Sequence, residues 1–239
     1  MGRPEFSAVS PLSFDDDGVQ LEKGLVSHPL IAALLADFDA IASDRAGRRG
    51  YNISEATADL IGEQGAMGRL ATRMSGKPVR PVRILLFDKT PQSNWGVPWH
   101  QDRSIAVKAQ ANVEGFGPWS VKGGVVHVEP PVAVLAGMVT LRLFVDDCPS
   151  ENGPLEIALG SHRHGRVPVN EIAGLVETSD VFAGVGEAGD VLALRTLVIH
   201  SSKRAVVSNH RRVLHVDYAA GELPPPLEWK YDRTDPGAV

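Results

Sequence analysis

Residues 81–89 read PVRILLFDK. The stretch opens on a proline, runs through Val82, Ile84, Leu85, Leu86 and Phe87, and closes on a charged pair, which is the composition of a short buried strand rather than a helix. Four further runs of the same kind follow: GMVTLRLFVDD (137–147), GPLEIAL (153–159), GDVLALRTLVIHS (189–201) and RRVLHVDYA (211–219). Each is bounded by Gly, Pro, Asn or Asp. Upstream the pattern differs. In 28–47 the apolar residues Leu30, Ile31, Leu34, Leu35, Phe38 and Ile41 recur at helical spacing, with Gly47 as a stop. Ser54 is placed to cap a second helix reaching about Met74, with Leu60, Ile61, Met67 and Leu70 as its apolar stripe. Strands after a helical preface predict an antiparallel sandwich or barrel with helices packed on one sheet.

One domain of 239 residues is expected: a helical part at 1–78, a β core at 79–220 and a proline-rich tail at 221–239 lying irregularly over the surface. The core is interrupted at 109–135 by a stretch with four glycines and three prolines. A long turn-rich insertion in such a domain is more often functional than decorative.

Composition narrows the function classes. Hydrophobic residues make up 43% of the chain and charged ones 22%, as in ordinary globular proteins. The net charge of −5 argues against a general nucleic-acid binder, although SHRHGR (161–166) is locally basic. Cys148 is the only cysteine, which excludes an internal disulfide framework and a cysteine-rich zinc module, and fits a reducing cytoplasm. No apolar run approaches a membrane span, and the first residues have neither a signal-peptide core nor a myristoylation pattern.

Metal-binding patterns are more informative. Side chains at i and i+2 of a strand share a face, so a His-x-acid pair can hold one ion. With 8 histidines and 29 acidic residues, about one such match is expected by chance. The chain has three: His100/Asp102, His127/Glu129 and His215/Asp217. A two-histidine, one-carboxylate face also needs a second histidine, and it leaves three coordination positions free for substrates or O2. No histidine follows His215, and the His127 pair sits before Pro130 and Pro131 in the insertion, a poor platform for ligands. His100 and Asp102 are followed by His200 at the end of an apolar strand-like run. Spacing alone leaves open that His100 and Asp102 simply cap a turn. Arg211 and Arg212 come 11 and 12 residues after His200. A planar guanidinium suits an organic acid, but an Arg-Arg pair can equally point to two faces of a surface strand.

WHQD (99–102), MVTLRLFVDDCPSENGPLEIALGSHRHG (138–165) and HSSKRAVVSNHRRVLHVDYA (200–219) together resemble the phytanoyl-CoA dioxygenase (PhyH) family of Fe(II)/2-oxoglutarate oxygenases, in order over roughly 80–220. The resemblance implies a double-stranded β-helix, a jelly roll of two sheets. It implies His100, Asp102 and His200 as iron ligands, Arg211 as the anchor of the distal carboxylate of 2-oxoglutarate with Arg212 as the alternative, and Ser202 as a helper at that carboxylate. Asn152, Gly153 and Gly160 fall in what resembles the family's structural turn. The reaction implied is a hydroxylation with release of succinate and CO2, since halogenating relatives carry a small residue where Asp102 stands. The implied partners are a small-molecule substrate and O2, with no nucleic acid and no membrane. The insertion is expected over the barrel mouth, with Trp119, Phe116, His127 and Lys122 as substrate contacts and Trp95 and Trp99 on the other side. Two other classes stay open at this point: a cupin-like isomerase or hydrolase that does not use 2-oxoglutarate, and a non-catalytic binding barrel.

Overall fold

Alternation along the 80–89 run organises the whole chain. In the computed structural model, which describes residues 12–39, 47–48, 53–206 and 210–231, Arg83, Leu85 and Phe87 of this strand face inward, and Ile84 and Leu86 between them face the helices. The elements run β1 (Val19–Glu22), α1 (His28–Asp39), β2 (Gly47–Arg48), α2 (Glu55–Ile61), α3 (Ala66–Ser75) and β3 (Arg80–Lys89). Next come β4 (Val97–His100), β5 (Ile105–Val107), β6 (Trp119–Lys122), β7 (Val125–Val128), α4 (Val132–Ala136) and β8 (Val139–Phe144). The chain continues through β9 (Leu155–Ala158), α5 (Ile172–Glu177), β10 (Val181–Gly184), β11 (Val191–Arg195), β12 (His200–Ser202) and β13 (Arg211–Ala219). One sheet has the order β1-β11-β8-β13-β3-β2 and the second the order β10-β9-β12-β4. Every pairing in both is antiparallel. Together they form the jelly roll.

The six-stranded sheet has two different faces. Ile84 and Leu86 of β3, Leu141 and Leu143 of β8, and Leu214 and Val216 of β13 form one core with Leu34 and Phe38 of α1, Leu60 and Ile61 of α2, and Met67 and Leu70 of α3. Burying each such side chain stabilises the fold by about 1.5–3 kcal/mol. Tyr218 ties the layers together through its hydroxyl, which donates to the Ile61 carbonyl at 2.9 Å. The opposite face turns Arg83, Phe87, Arg142, Arg211 and His215 toward the second sheet.

Four expectations change. The helix predicted from Ser54 to about Met74 is two helices. Ser54 does cap the first by accepting from the Thr57 amide, but Gly62 ends it and Gly65 begins the next, glycine being a poor helix former. GDVLALRTLVIHS is likewise two strands, β11 and β12. A turn closed by Val198 N–H on the Arg195 carbonyl lets the chain cross from one sheet to the other. Leu197, Val198 and Ile199 are all buried through the crossing, so hydrophobicity gave no sign of it. The N-terminal part is not wholly helical, because β1 joins the large sheet against β11. The tail is irregular yet not superficial: Leu223, Leu227 and Trp229 are buried against Ile105, Val107, Val128 and Leu135. Ile41 lies outside the described residues. Among the described residues no helix is long and apolar enough to cross a membrane.

Candidate metal centre

β4 ends on His100 and β12 begins on His200, and the two are direct partners across the ladder. Their ring centroids lie 4.4 Å apart. Asp102 follows just past the end of β4, and one ligand atom from each of His100, Asp102 and His200 lies within 4.8 Å of the others. Two atoms bound to one ion at about 2.1 Å each sit roughly 3–4 Å apart, so side-chain shifts under about 1 Å would close the set. Gln101, between two of the residues, points the other way. Its amide donates to the Leu197 and Gly165 carbonyls at 2.7 and 2.8 Å and accepts from the Val167 amide at 2.9 Å. That bonding fixes the loop carrying His100 and Asp102.

Tautomers follow from the acceptors. His100 Nδ1 is 2.9 Å from the Pro98 carbonyl and His200 Nδ1 is 3.0 Å from the Val198 carbonyl. A carbonyl can only accept, so both Nδ1 atoms carry the proton and both Nε2 lone pairs are free for a metal. Burial, together with His100, pushes His200 down to about 4, so it is neutral at pH 7. Burial works against the Asp102 carboxylate, but Arg83, with a guanidinium nitrogen 3.7 Å away, holds its carboxyl far below the usual range. Two imidazoles that turn Nε2 away from their carbonyl partners and one ionised carboxylate suit Fe(II), and the set fits that ion.

The far end of the site is cationic. Arg211 opens β13, is 4% exposed, and donates from Nη1 to the Gly153 carbonyl. Its Nε has no partner, and among the described residues no carboxylate pairs with it. The SENGP turn explains its position. Gly153 has a left-handed φ of 58°, and a Cβ there would come within 2.5 Å of the Lys203 carbonyl. Arg212 faces the other way, donating from Nε and Nη2 to Asp146 at 2.8 and 2.7 Å. Ser202 lies beside Arg211 in the cavity wall and accepts from Lys89 Nζ at 2.8 Å. Lys89 was missed by sequence reasoning. It is the β3 partner of Arg211, 1% exposed, and burial with Arg211 nearby pushes it down to about 7.

The inward face of the large sheet adds a polar network. Arg83 Nε donates to Asp217 at 2.5 Å and Thr140 donates to the other Asp217 oxygen at 2.8 Å. Arg142 Nη1 lies 3.0 Å from His215 Nδ1. A guanidinium only donates, so His215 accepts there and gives its Nε2 proton to Asp217 at 3.0 Å. His215 and Asp217 thus share the inward face, as the pattern implied, but serve this network. Arg83 and Arg142 were also missed; a lone arginine inside an apolar strand run was the available signal.

A cavity of about 210 Å³ joins these groups, lined by residues that include Arg83, Trp95, His100, Asp102, Lys122, Arg142, His200, Ser202 and Arg211. Trp95 and Lys122 therefore stand where substrate contacts were expected. Trp119 and His127 do not. Trp119 and Phe116 pack on the core beneath the insertion, and His127 is fully buried, its Nδ1 donating to the Val125 carbonyl at 2.9 Å. The insertion is ordered into the sheet β5-β7-β6, which directs its alternate side chains into its own core. Trp99 packs near Ile172 and Ile199.

The model of the phytanoyl-CoA dioxygenase family matches residues 14–213. The chain belongs to that family. One curated relative, the L-proline trans-4-hydroxylase of Streptomyces griseoviridis, is 28% identical over 194 residues, or 70% of this chain and 64% of the relative. The chain thus spans just under two thirds of that relative's length. Among solved structures, AviO1 from Streptomyces viridochromogenes superposes with a TM-score of 0.64 at 22% identity, covering 89% of this chain and 94% of AviO1. HygX from Streptomyces hygroscopicus, solved with nickel, 2-oxoglutarate and hygromycin B, superposes with a TM-score of 0.60 at 16% identity, covering 86% and 84%. Such structures share the jelly roll with this member of the phytanoyl-CoA dioxygenase family.

Proposed function

We propose that the protein is an Fe(II)- and 2-oxoglutarate-dependent dioxygenase that hydroxylates a C–H bond of a small-molecule metabolite. The observation that carries this reading is one cavity with His100, Asp102 and His200 at one end and, at the other, Arg211 with no carboxylate of its own. A cupin-like hydrolase or isomerase would have no use for a buried, anion-free arginine, which is costly to hold without a ligand. The family membership and the proline hydroxylase relative support the same chemistry.

His100, Asp102 and His200 would hold the metal, with Pro98 and Val198 fixing the imidazole orientation. When bound, Fe(II) with 2-oxoglutarate and O2 supplies the oxidation, giving succinate and CO2 and placing one oxygen atom in the substrate. Arg211 would grip the distal carboxylate through its planar fork, and Ser202, itself tied to Lys89, would donate its hydroxyl proton to that carboxylate. Arg83, locked on Asp217, holds Asp102 ionised. The apolar walls Leu85, Phe87, Val97 and Leu155 limit water around the reacting atoms. The buried, unpaired Cys148 fits our placement of the protein in a reducing cytoplasm.

The test is turnover. Fe(II)-loaded protein given 2-oxoglutarate labelled at C1 should release labelled CO2 in air and none under argon. No release in air above the metal-free control, across a panel of small metabolites, would count against the assignment.

A further inference from the structure

Arg142 is left over once the site has been assigned. It sits in β8, flanked by β11 and β13, is 8% exposed and lines the cavity. Its guanidinium lies over the Phe87 ring, 5.2 Å from the centroid. Of its several N–H donors, the described contacts use the one that meets His215 Nδ1. His215 is neutral there, since it accepts from Arg142 and donates to Asp217. The neighbouring arginines are provided for: Arg83 holds Asp217 and Arg212 holds Asp146. Among the described residues no carboxylate lies within ion-pair distance of Arg142; Asp102 and Asp217 act on it from farther away. A buried guanidinium in that state is unfavourable, and an anion entering the cavity relieves it.

Arg142 enters the cavity from a different strand position than Arg211. It is the ladder partner of His215, four residues along β13 from Arg211, so the two backbones are roughly 13 Å apart. The guanidiniums reach near enough that the Arg211 charge, after burial, helps push Arg142 down. Its side chain packs in one group with Asp102, His200 and His215, which puts it at the metal-ligand end of the cavity it lines. We propose that Arg142 seats a second carboxylate, separate from the one gripped by Arg211 and beside the metal ligands. This rests on the function proposed above and deepens it.

Two molecules could supply that carboxylate: the substrate, or 2-oxoglutarate through the carboxylate next to its keto group. Charge favours the substrate. Three buried guanidiniums (Arg83, Arg142, Arg211), Lys122 and a divalent ion would be faced, among the described residues of the cavity and its network, by Asp102 and Asp217. A dianionic co-substrate still leaves positive charge buried in the cavity. The substrate class inferred is therefore a small carboxylic acid, amino acids included.

The experiment uses full-length protein loaded with Mn(II), which binds without turning over, and compares wild type, Arg142→Gln and Arg142→Lys by calorimetry. One arm titrates 2-oxoglutarate. The other titrates a panel of small carboxylates (L-proline, L-glutamate, propionate) and their amides into protein already holding 2-oxoglutarate. A substrate seat predicts that wild type binds at least one acid over its amide, that Arg142→Gln weakens it tenfold or more, and that the 2-oxoglutarate titration is unchanged. A co-substrate seat predicts tenfold weaker 2-oxoglutarate in Arg142→Gln and no acid preference. In either case Arg142→Lys, which keeps the charge without the planar fork, falls between, and it replaces Arg142→Gln if that variant does not fold. The seat is refuted if the variants match wild type in both arms, including the case where wild type takes 2-oxoglutarate and no other acid. Wild type that takes no 2-oxoglutarate refutes the underlying function instead, and the seat with it.

Discussion

Replacing Arg211 by alanine separates the proposed enzyme from any other use of the same barrel. Its guanidinium is buried at the cavity end, held by the Gly153 carbonyl, with Nε unpartnered. A charged hydrogen bond of this kind contributes about 1.5–3 kcal/mol. At about 1.4 kcal/mol per decade, Arg211→Ala should weaken 2-oxoglutarate binding by roughly 10- to 150-fold. The metal ligands lie elsewhere, on β4, β12 and the loop after β4, so Fe(II) affinity should change less than about threefold on that scale. Arg212→Ala is the internal control. It removes a partly exposed pair with Asp146, worth at most about 1 kcal/mol of stability, and should leave 2-oxoglutarate binding unchanged. Anaerobic titrations of metal and of 2-oxoglutarate read both quantities. Equal 2-oxoglutarate affinity in wild type and Arg211→Ala, or a loss in Arg212→Ala instead, would refute the assignment.

Three more outcomes follow from neighbouring residues. Lys89 is pushed down to about 7 by burial and by Arg211, so its charge is present below that pH and lost above it; 2-oxoglutarate affinity should fall as pH rises through about 7, and Lys89→Met should flatten the profile. Gly153→Ala forces a left-handed backbone on a residue with a Cβ 2.5 Å from the Lys203 carbonyl; denaturant melts should show a loss of more than about 1–2 kcal/mol, and the shifted Gly153 carbonyl should weaken 2-oxoglutarate binding as well. Tyr218→Phe leaves the Ile61 carbonyl without its donor and should cost about 1 kcal/mol, or roughly 2–4 °C in Tm for a chain of this size, with cofactor binding untouched.

The parts of the site that were legible in the sequence are those written in fixed local patterns. His100 and Asp102 stand two apart, His200 ends an apolar run, and Arg211 follows 11 residues later, a spacing that left turn-cap and surface readings open until the resemblance of the surrounding stretches to the family singled these residues out. The strand runs were legible for the same reason, through alternation and bounding turns. What depends on pairing across strands was not. Lys89 belongs to the site because the β3–β13 register sets it opposite Arg211, and Arg142 because β8 sets it opposite His215; neither register is visible in one strand alone. The insertion misled for a related reason. Its glycines and prolines looked like a lid, while the alternation of Val126 and Val128 on β7, which packs Trp119 inward, was too short to read. The break between α2 and α3 rests on Gly62 and Gly65, which a continuous apolar stripe concealed.

The central claim is that three side chains distant in sequence hold one ferrous ion with room beside it for a keto acid. Anaerobic addition of Fe(II) and 2-oxoglutarate tests it most directly, through the weak visible charge-transfer band of the chelate. The band should appear in wild type and vanish in both His100→Ala and His200→Ala. A wild-type protein that shows no band, or variants that retain it at full strength, would contradict the account.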